Sequence, residues 1–382
     1  MKIYLCGSFT GPITGQMQTL LAVEKSLKES FETKRINFPN KSFLFPIEFL
    51  FYTLKLFRFT SSRENKTFYL MLNRTKKSFW LRDFPIFLAI FFSKNKVICH
   101  LVGSDIKIFI NSLSFIEKEI VKKCLSKITY WIVLGPNMKK QLEDIYQSLN
   151  IKNKSLCYSD QDLRASIARG FYSRELNDYI KRRIVEQKII TFGKEPLTIG
   201  YLSNLMEEKG IVEFIESIIL LREKSNLKIN AWIAGGYIGK PSKRLLETMQ
   251  LAEDKEYIDV CGILIGEEKW NRLSKTNIFI LPTYYKTEGL PLSIVEAMAA
   301  GCLCISSKIG EIESLLEEKG ILIDDVNAEN IVNEVESSLN KIDSSKRKIE
   351  DSYSFAREEF SFDLYKSKIL KIMRKPLLKN YD

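Results

Sequence analysis

The sequence predicts an α/β chain made of two doubly wound domains, each built on a parallel sheet. Three observations lead there. Short apolar runs alternate with helical patterns along the whole chain, as they do where crossover helices join parallel strands. A length of 382 residues is more than one core usually holds. A strand at residues 2–6 and another at 197–203 each feed a loop and then a helix, so both halves open in the same way. A hydrophobic share of 45% and a charged share of 27% are those of an ordinary globular protein with material for two cores.

In the first half, the strand at 2–6 leads into a loop with Gly7, Gly11, Pro12 and Gly15, and a helix is expected over 16–30. A short strand follows at 33–37. Residues 43–59 are apolar and aromatic, with Glu48, Lys55 and Arg58 on one helical stripe. They read either as a core-facing helix or as one that lies on a membrane surface or docks a lipid-linked acceptor. A strand at 67–72, a basic turn at 73–77 and a helical region at 79–93 come next. The strand at 97–103 carries His100, the chain's single histidine. A helix at 113–127, a strand at 130–134 and a helix at 137–149, with Pro136 suited to its first turn, complete the readable part. Residues 151–190 have no clear pattern. Their Asp160-Gln-Asp162 triplet reads as a solvated turn, and Lys181-Arg-Arg183 as a solvated basic face. Residues 189–196 are the expected linker.

The second half reads more sharply. The strand at 197–203 is followed by Asn204 and then by Lys209-Gly210 and a helix over 211–223. A strand at 228–234 ends in Gly235-Gly236, and a helix is expected at 241–254. A strand at 257–261 ends at Gly262, and a helix at 267–275 leads to the strand 278–281. Then comes Glu288-Gly-Leu-Pro-Leu-Ser-Ile-Val-Glu296, continued by Ala-Met-Ala-Ala-Gly301. Gly289 and Pro291 make a turn, Ser293 is the expected cap of a helix over 294–300, and a strand follows at 302–306. Strand, glycine loop and helix start place backbone N–H groups and the positive end of a helix dipole at one spot, a seat for phosphate. A carboxylate stands on each side of that seat. Carboxylates are poor phosphate ligands but good acceptors for sugar hydroxyls, so the pattern suits a nucleotide sugar. A helix at 312–318, a strand at 321–323 and helices at 328–339, 344–359 and 362–375 close the chain.

Composition narrows the setting. Seven cysteines are scattered singly with no C-x-x-C, which reads as reduced, buried thiols in a cytosolic protein. Residues 1–7 read as a strand rather than as a leader, and the apolar stretch 84–92 is too short to span a bilayer. Residues 1–190 hold 32 Lys and Arg against 16 Asp and Glu, whereas residues 191–382 hold 26 against 31. The basic half suggests an anionic partner: a lipid surface, a phosphorylated acceptor or a nucleic acid.

The block E-G-L-P-L-S-x-x-E-A-M-A-A-G, with its E-x7-E spacing, resembles the signature of the retaining glycosyltransferases of family 4, also called group 1. That resemblance is strong over residues 197–325 and weak before them. It implies the GT-B fold, in which two Rossmann-like domains face one another across a cleft. Residues 1–190, with the helix 362–382 packed back on them, would bind the acceptor, and residues 197–361 the nucleotide sugar. It implies that Glu288 holds the donor sugar, Lys209 the diphosphate and Glu296 the ribose. It also implies that His100 orients the sugar. Ser203, Asn204, Gly289, Leu290, Leu292, Ser293, Gly262 and Ile263 would line the donor site, and Gly11 and Gly15 the cleft loop. The family commonly has an Arg where this chain has Ser203 and Asn204, so a neutral hydrogen bond or backbone amides are expected there. No cofactor and no metal is expected. The partners implied are a nucleotide sugar, a glycan or lipid-linked acceptor and an anionic membrane surface, with no nucleic acid. The expected location is the cytoplasm, peripheral to the membrane. The rival readings are a nucleotide-sugar epimerase or glycan phosphorylase of the same fold, and a catalytically inactive module that binds a membrane surface or nucleic acid.

Overall fold

Every strand pair among the described residues is parallel, and the strands form two six-stranded sheets. The computed structural model of the protein describes residues 2–9, 15–38, 49, 51–54, 56, 58, 66–91, 95–151, 165–167, 174–225 and 227–375. One unit comprises Met1–Arg169 with Tyr365–Asp382, the other Gly170–Leu364.

The first unit contains β1 (Lys2–Gly7), β2 (Glu32–Asn37), β3 (Thr67–Met71), β4 (Lys96–His100), β5 (Tyr130–Val133) and β6 (Ala165–Ile167), in the order β2-β1-β3-β4-β5-β6. Strands β1, β3, β4 and β5 are almost wholly buried, because helices cover both faces of such a sheet. Three details depart from the sequence reading. A short helix, Ile106–Ser112, precedes the helix Phe115–Leu125. The helical region expected over 79–93 is a π-helical turn, Phe79–Asp83, and the helix Phe84–Ile90, with the helical turn Lys76–Ser78 just before it. Pro85 has no N–H to extend a regular α ladder back into the preceding turn. β6 supplies a sixth strand where residues 151–190 show no pattern. Gly11, Pro12, the Asp160–Asp162 triplet and most of 43–59 lie outside the described residues.

The helix Phe362–Arg374 is anchored in this unit through a buried lysine. Lys96 Nζ donates to the carbonyls of Ile372 (3.1 Å), Met373 (2.9 Å) and Lys375 (2.8 Å), and so caps the helix C-terminus. Burial, and then the neighbouring Lys375 ammonium, pull its pKa down to about 8. The folded chain therefore releases this proton before the unfolded chain does. Below about pH 8 the cost of burying the charge is fully present; between there and the ordinary lysine range it fades. Measured against Lys96→Met, the melting temperature of the wild type is expected to rise over that window.

The second unit contains β7 (Leu197–Leu202), β8 (Ile229–Ala234), β9 (Ile258–Val260), β10 (Ile278–Leu281), β11 (Leu303–Ser307) and β12 (Ile321–Ile323), ordered β12-β11-β10-β7-β8-β9. Its core extends upstream of the linker expected at 189–196. Leu176 and Val185, from the helices Arg174–Tyr179 and Arg182–Thr191, and Ile180 between them are buried in it. Lys188, buried, donates to the carbonyls of Leu273 (3.1 Å) and Ala300 (2.7 Å), and so serves the last turns of two helices. Residues 170–190 thus count with the second unit, not the first as the sequence reading has them.

Chain order reverses between β7 and β10. The loops that leave the carboxyl ends of these two neighbours diverge there, which is where open α/β sheets bind ligands. Among the described residues, no helix is long and apolar enough to cross a membrane. Cys6, Cys99, Cys124, Cys261, Cys302 and Cys304 are free thiols.

Candidate active site

The loops after β7 and β10 bring Lys209 and Glu288 together. After β7 the chain makes a single 3-10 turn, Glu207–Lys209, and enters the helix Ile211–Lys224 through Gly210. Gly210 has φ 72°, and a Cβ there would lie 2.0 Å from the carbonyl oxygen of Pro282, so only glycine lets the two loops approach. Lys209 Nζ lies 2.5 Å from Glu288 Oε2, and both residues are buried. Thr283 Oγ1 is 3.1 Å from the same oxygen and 3.2 Å from the Glu208 carbonyl, and its one proton serves either. The Tyr284 amide donates to Glu208 O at 2.8 Å, and the Tyr285 ring sits 4.8 Å from the Lys209 ammonium. None of these bonds uses Glu288 Oε1, which leaves that oxygen as an acceptor for a ligand hydroxyl.

The loop after Glu288 is held from behind. Gly310 has φ 59° and sits where a Cβ would come within 2.3 Å of the Glu288 carbonyl oxygen. The Glu311 amide donates to Gly289 O at 2.9 Å. The helix that follows is Leu292–Ala299, with Pro291 at its N-cap and no side-chain cap bond. Ser293 is therefore inside the first turn rather than its cap. Proline already has the extended φ of −67° and ψ of 117° that the position needs, so the helix begins at Leu292. The Leu292 and Ser293 amides have no earlier turn to bond to and sit at the positive end of the dipole, whereas the Ile294 amide donates to the Pro291 carbonyl at 3.2 Å.

Glu296 lies one turn further on, half-buried, with Oε1 2.7 Å from Lys269 Nζ of the helix Gly266–Lys275. Both carboxylates of the motif thus hold a lysine. The loops after β8 and β9 complete this edge. The Gly235 amide donates to Gly262 O at 2.8 Å, and Ile263 lies against Gly236 with its side chain largely exposed. The Ser203 amide donates to Ala234 O at 3.1 Å, and the Asn204 side chain is exposed.

His100 and Gly15 belong to the first unit, His100 at the carboxyl end of β4 and Gly15 at the start of the helix Gly15–Leu27. His100 is fully buried. Nδ1 lies 2.5 Å from the Tyr69 hydroxyl, whereas Nε2 has no hydrogen-bond partner. Burial pushes its pKa down to about 3, so the ring is neutral at physiological pH. Sequence reasoning missed Thr283 and Lys269. Thr283 stands between β10 and the motif, so its position was a usable signal. Lys269 had none, because sheet topology alone brings it to Glu296. Among the described residues, no group of three or more His, Cys, Asp or Glu is arranged to hold a metal ion.

Residues 183–355 match the family model of the glycosyl transferases group 1. Two curated relatives align over shorter stretches. One is the N,N'-diacetylbacillosaminyl-diphospho-undecaprenol alpha-1,3-N-acetylgalactosaminyltransferase of Campylobacter jejuni, 28% identical over 129 residues, 34% of this chain and 31% of that protein. The other is the amylovoran biosynthesis glycosyltransferase AmsK of Erwinia amylovora, 28% identical over 127 residues, 32% of this chain and 30% of that protein. The aligned stretch spans about a third of the length of each relative. Solved structures are similar over nearly the whole chain. Sucrose-phosphate synthase from Thermosynechococcus elongatus has a TM-score of 0.69 at 12% identity, covering 98% of both chains. A glycosyltransferase from Rickettsia africae has 0.69 at 14%, covering 99% of this chain and 98% of that one. Anabaena Alr3699/HepE in complex with UDP has 0.68 at 12%, covering 98% and 99%. The fold is GT-B, with two Rossmann-like units.

Proposed function

We propose that this chain, which carries a group 1 glycosyl transferase segment at residues 183–355, moves a sugar from a nucleotide diphosphate sugar to an acceptor hydroxyl. The observation that carries this reading is the Lys209–Glu288 pair at the sheet's switch point, beside the bare N-terminus of the helix Leu292–Ala299. Lys209 and the amides of Gly289, Leu290, Leu292 and Ser293 take the diphosphate. Glu288 Oε1 accepts from the donor sugar's hydroxyls. Glu296 accepts from the ribose, sharing its charge with Lys269. Ser203 and Asn204 offer neutral hydrogen bonds where the family commonly places an Arg. Gly262 and Ile263 face the base, and His100, in the first unit, keeps the role that the resemblance implies.

The transfer retains configuration. The bond from the anomeric carbon to the diphosphate oxygen breaks as the acceptor oxygen bonds to that carbon on the same face. The acceptor's proton passes to the leaving diphosphate. Charge therefore grows on the diphosphate in the transition state, where a buried ammonium and oriented amides stabilise it most. The scheme assigns no role to a metal. One relative's name specifies a diphospho-undecaprenol acceptor and the other's amylovoran biosynthesis. We carry over the class: a lipid-linked or polysaccharide acceptor, met at the cytoplasmic face of a membrane. Incubation with a nucleotide sugar and a lipid-linked saccharide tests the reading. Expected are a free nucleoside diphosphate and a product whose new glycosidic bond keeps the donor's anomeric configuration by NMR. Release of an epimerised nucleotide sugar, or inversion at the anomeric carbon, would overturn it.

A further inference from the structure

We propose that the corner between the helices Ile106–Ser112 and Phe115–Leu125 is a docking surface for an anionic lipid bilayer; this rests on the reading of the acceptor as lipid-linked. Ile108 is 57% exposed, Phe115 80% and Ile116 72%. A single exposed apolar side chain is ordinary, but three large ones on one short corner are not. The corner is also held firmly. Glu117 Oε2 accepts from the Ser114 amide at 2.7 Å, and Ser114 Oγ accepts from the Glu117 amide at 3.4 Å, a reciprocal cap. Phe115 and Ile116 are thereby fixed at the first two helical positions, facing solvent.

The surroundings select the occupant. Glu117 is already neutralised: Lys76 Nζ lies 2.8 Å from it and Trp80 Nε1 donates to it at 3.3 Å. Lys77, next to Lys76, is exposed and Lys118 follows Glu117, whereas Lys107, next to Ile108, is paired with Asp144 at 3.1 Å. Apolar tips flanked by Lys77 and Lys118 fit a bilayer whose acyl boundary takes Phe115 and Ile116 and whose anionic headgroups meet these two lysines. A second copy of the chain would set lysines against lysines. The corner also follows directly on the carboxyl end of β4, where His100 stands, so a docked membrane lies beside the edge of the sheet that carries the first unit's assigned group.

Co-sedimentation of the full chain with vesicles tests the surface. Binding is expected to mixed phosphatidylglycerol and phosphatidylcholine vesicles, weak binding to phosphatidylcholine alone, and a decline as salt rises. Phe115→Ser combined with Ile116→Ser is expected to lower partitioning about tenfold or more. Lys77→Glu combined with Lys118→Glu should lower it independently. Both variants should keep the wild-type melting temperature and its shift with nucleoside diphosphate. Equal vesicle binding by the variants overturns the proposal, as does a wild-type dimer that the Phe115 and Ile116 changes dissociate. A wild type that shifts with donor but ignores vesicles overturns this surface and leaves the transferase reading standing. Vesicle binding without any donor shift does the reverse.

Discussion

Replacing Lys209 with methionine is expected to lower kcat by about 100- to 1000-fold with little change in donor KM, the scale of losing one donor that acts on transition-state charge. The same change strips Glu288 of its counter-charge. The pair is 2.5 Å apart and both side chains are nearly withdrawn from solvent, so a stability loss of about 3–5 kcal/mol is also expected. The two effects separate in a cycle. Combining Lys209→Met with Glu288→Gln removes the stranded charge and should recover much of the stability while leaving activity as low as in the single variant. Thermal unfolding and steady-state kinetics on the four proteins check this. A Lys209→Met enzyme that loses affinity but keeps kcat would make Lys209 a donor anchor only.

Glu296→Ala should act differently. The carboxylate is half-buried on a formed helix, with Lys269 as its partner at 2.7 Å, and that lysine can turn to solvent when the acid is gone. Fold stability should change little. Donor affinity should fall about 10- to 100-fold, or roughly 1.5–3 kcal/mol, the scale of hydrogen bonds to a charged acceptor. Titration of donor into wild type and variant by calorimetry gives the comparison. Equal affinity would remove Glu296 from the ribose and leave it as half of a structural ion pair.

What the sequence made legible follows the reach of its signals. The strand, glycine loop and helix around Glu288 and Glu296 are contiguous, so their order and chemistry stand in one stretch of text. The alternation of strands and helices carried both sheets for the same reason. Features that depend on contacts distant in sequence were hidden. Lys269 meets Glu296 only because the β9–β10 crossover folds over the sheet, and Lys188 reaches two helix ends that no local pattern connects to it. Residues 151–190 looked patternless because the helices within them are short, yet Leu176, Ile180 and Val185 are core residues of the second unit. The Ser293 cap failed on a nearer competitor: Pro291 already fixed the backbone that a capping serine would have had to hold.

The central claim is that the second unit binds a nucleoside diphosphate sugar through Lys209, Glu288 and Glu296. The most direct measurement is the melting temperature of the full chain against UDP, GDP, ADP and their common sugars, with and without a divalent cation. A ligand at a hundredfold excess over Kd adds about 2.7 kcal/mol of stability by mass action, enough for a clear shift. The expected result is a shift selective for one nucleotide, present without added metal and lost in Glu296→Ala, whose unliganded melting temperature matches the wild type. No shift with any nucleotide, or one that survives Glu296→Ala undiminished, would contradict the assignment.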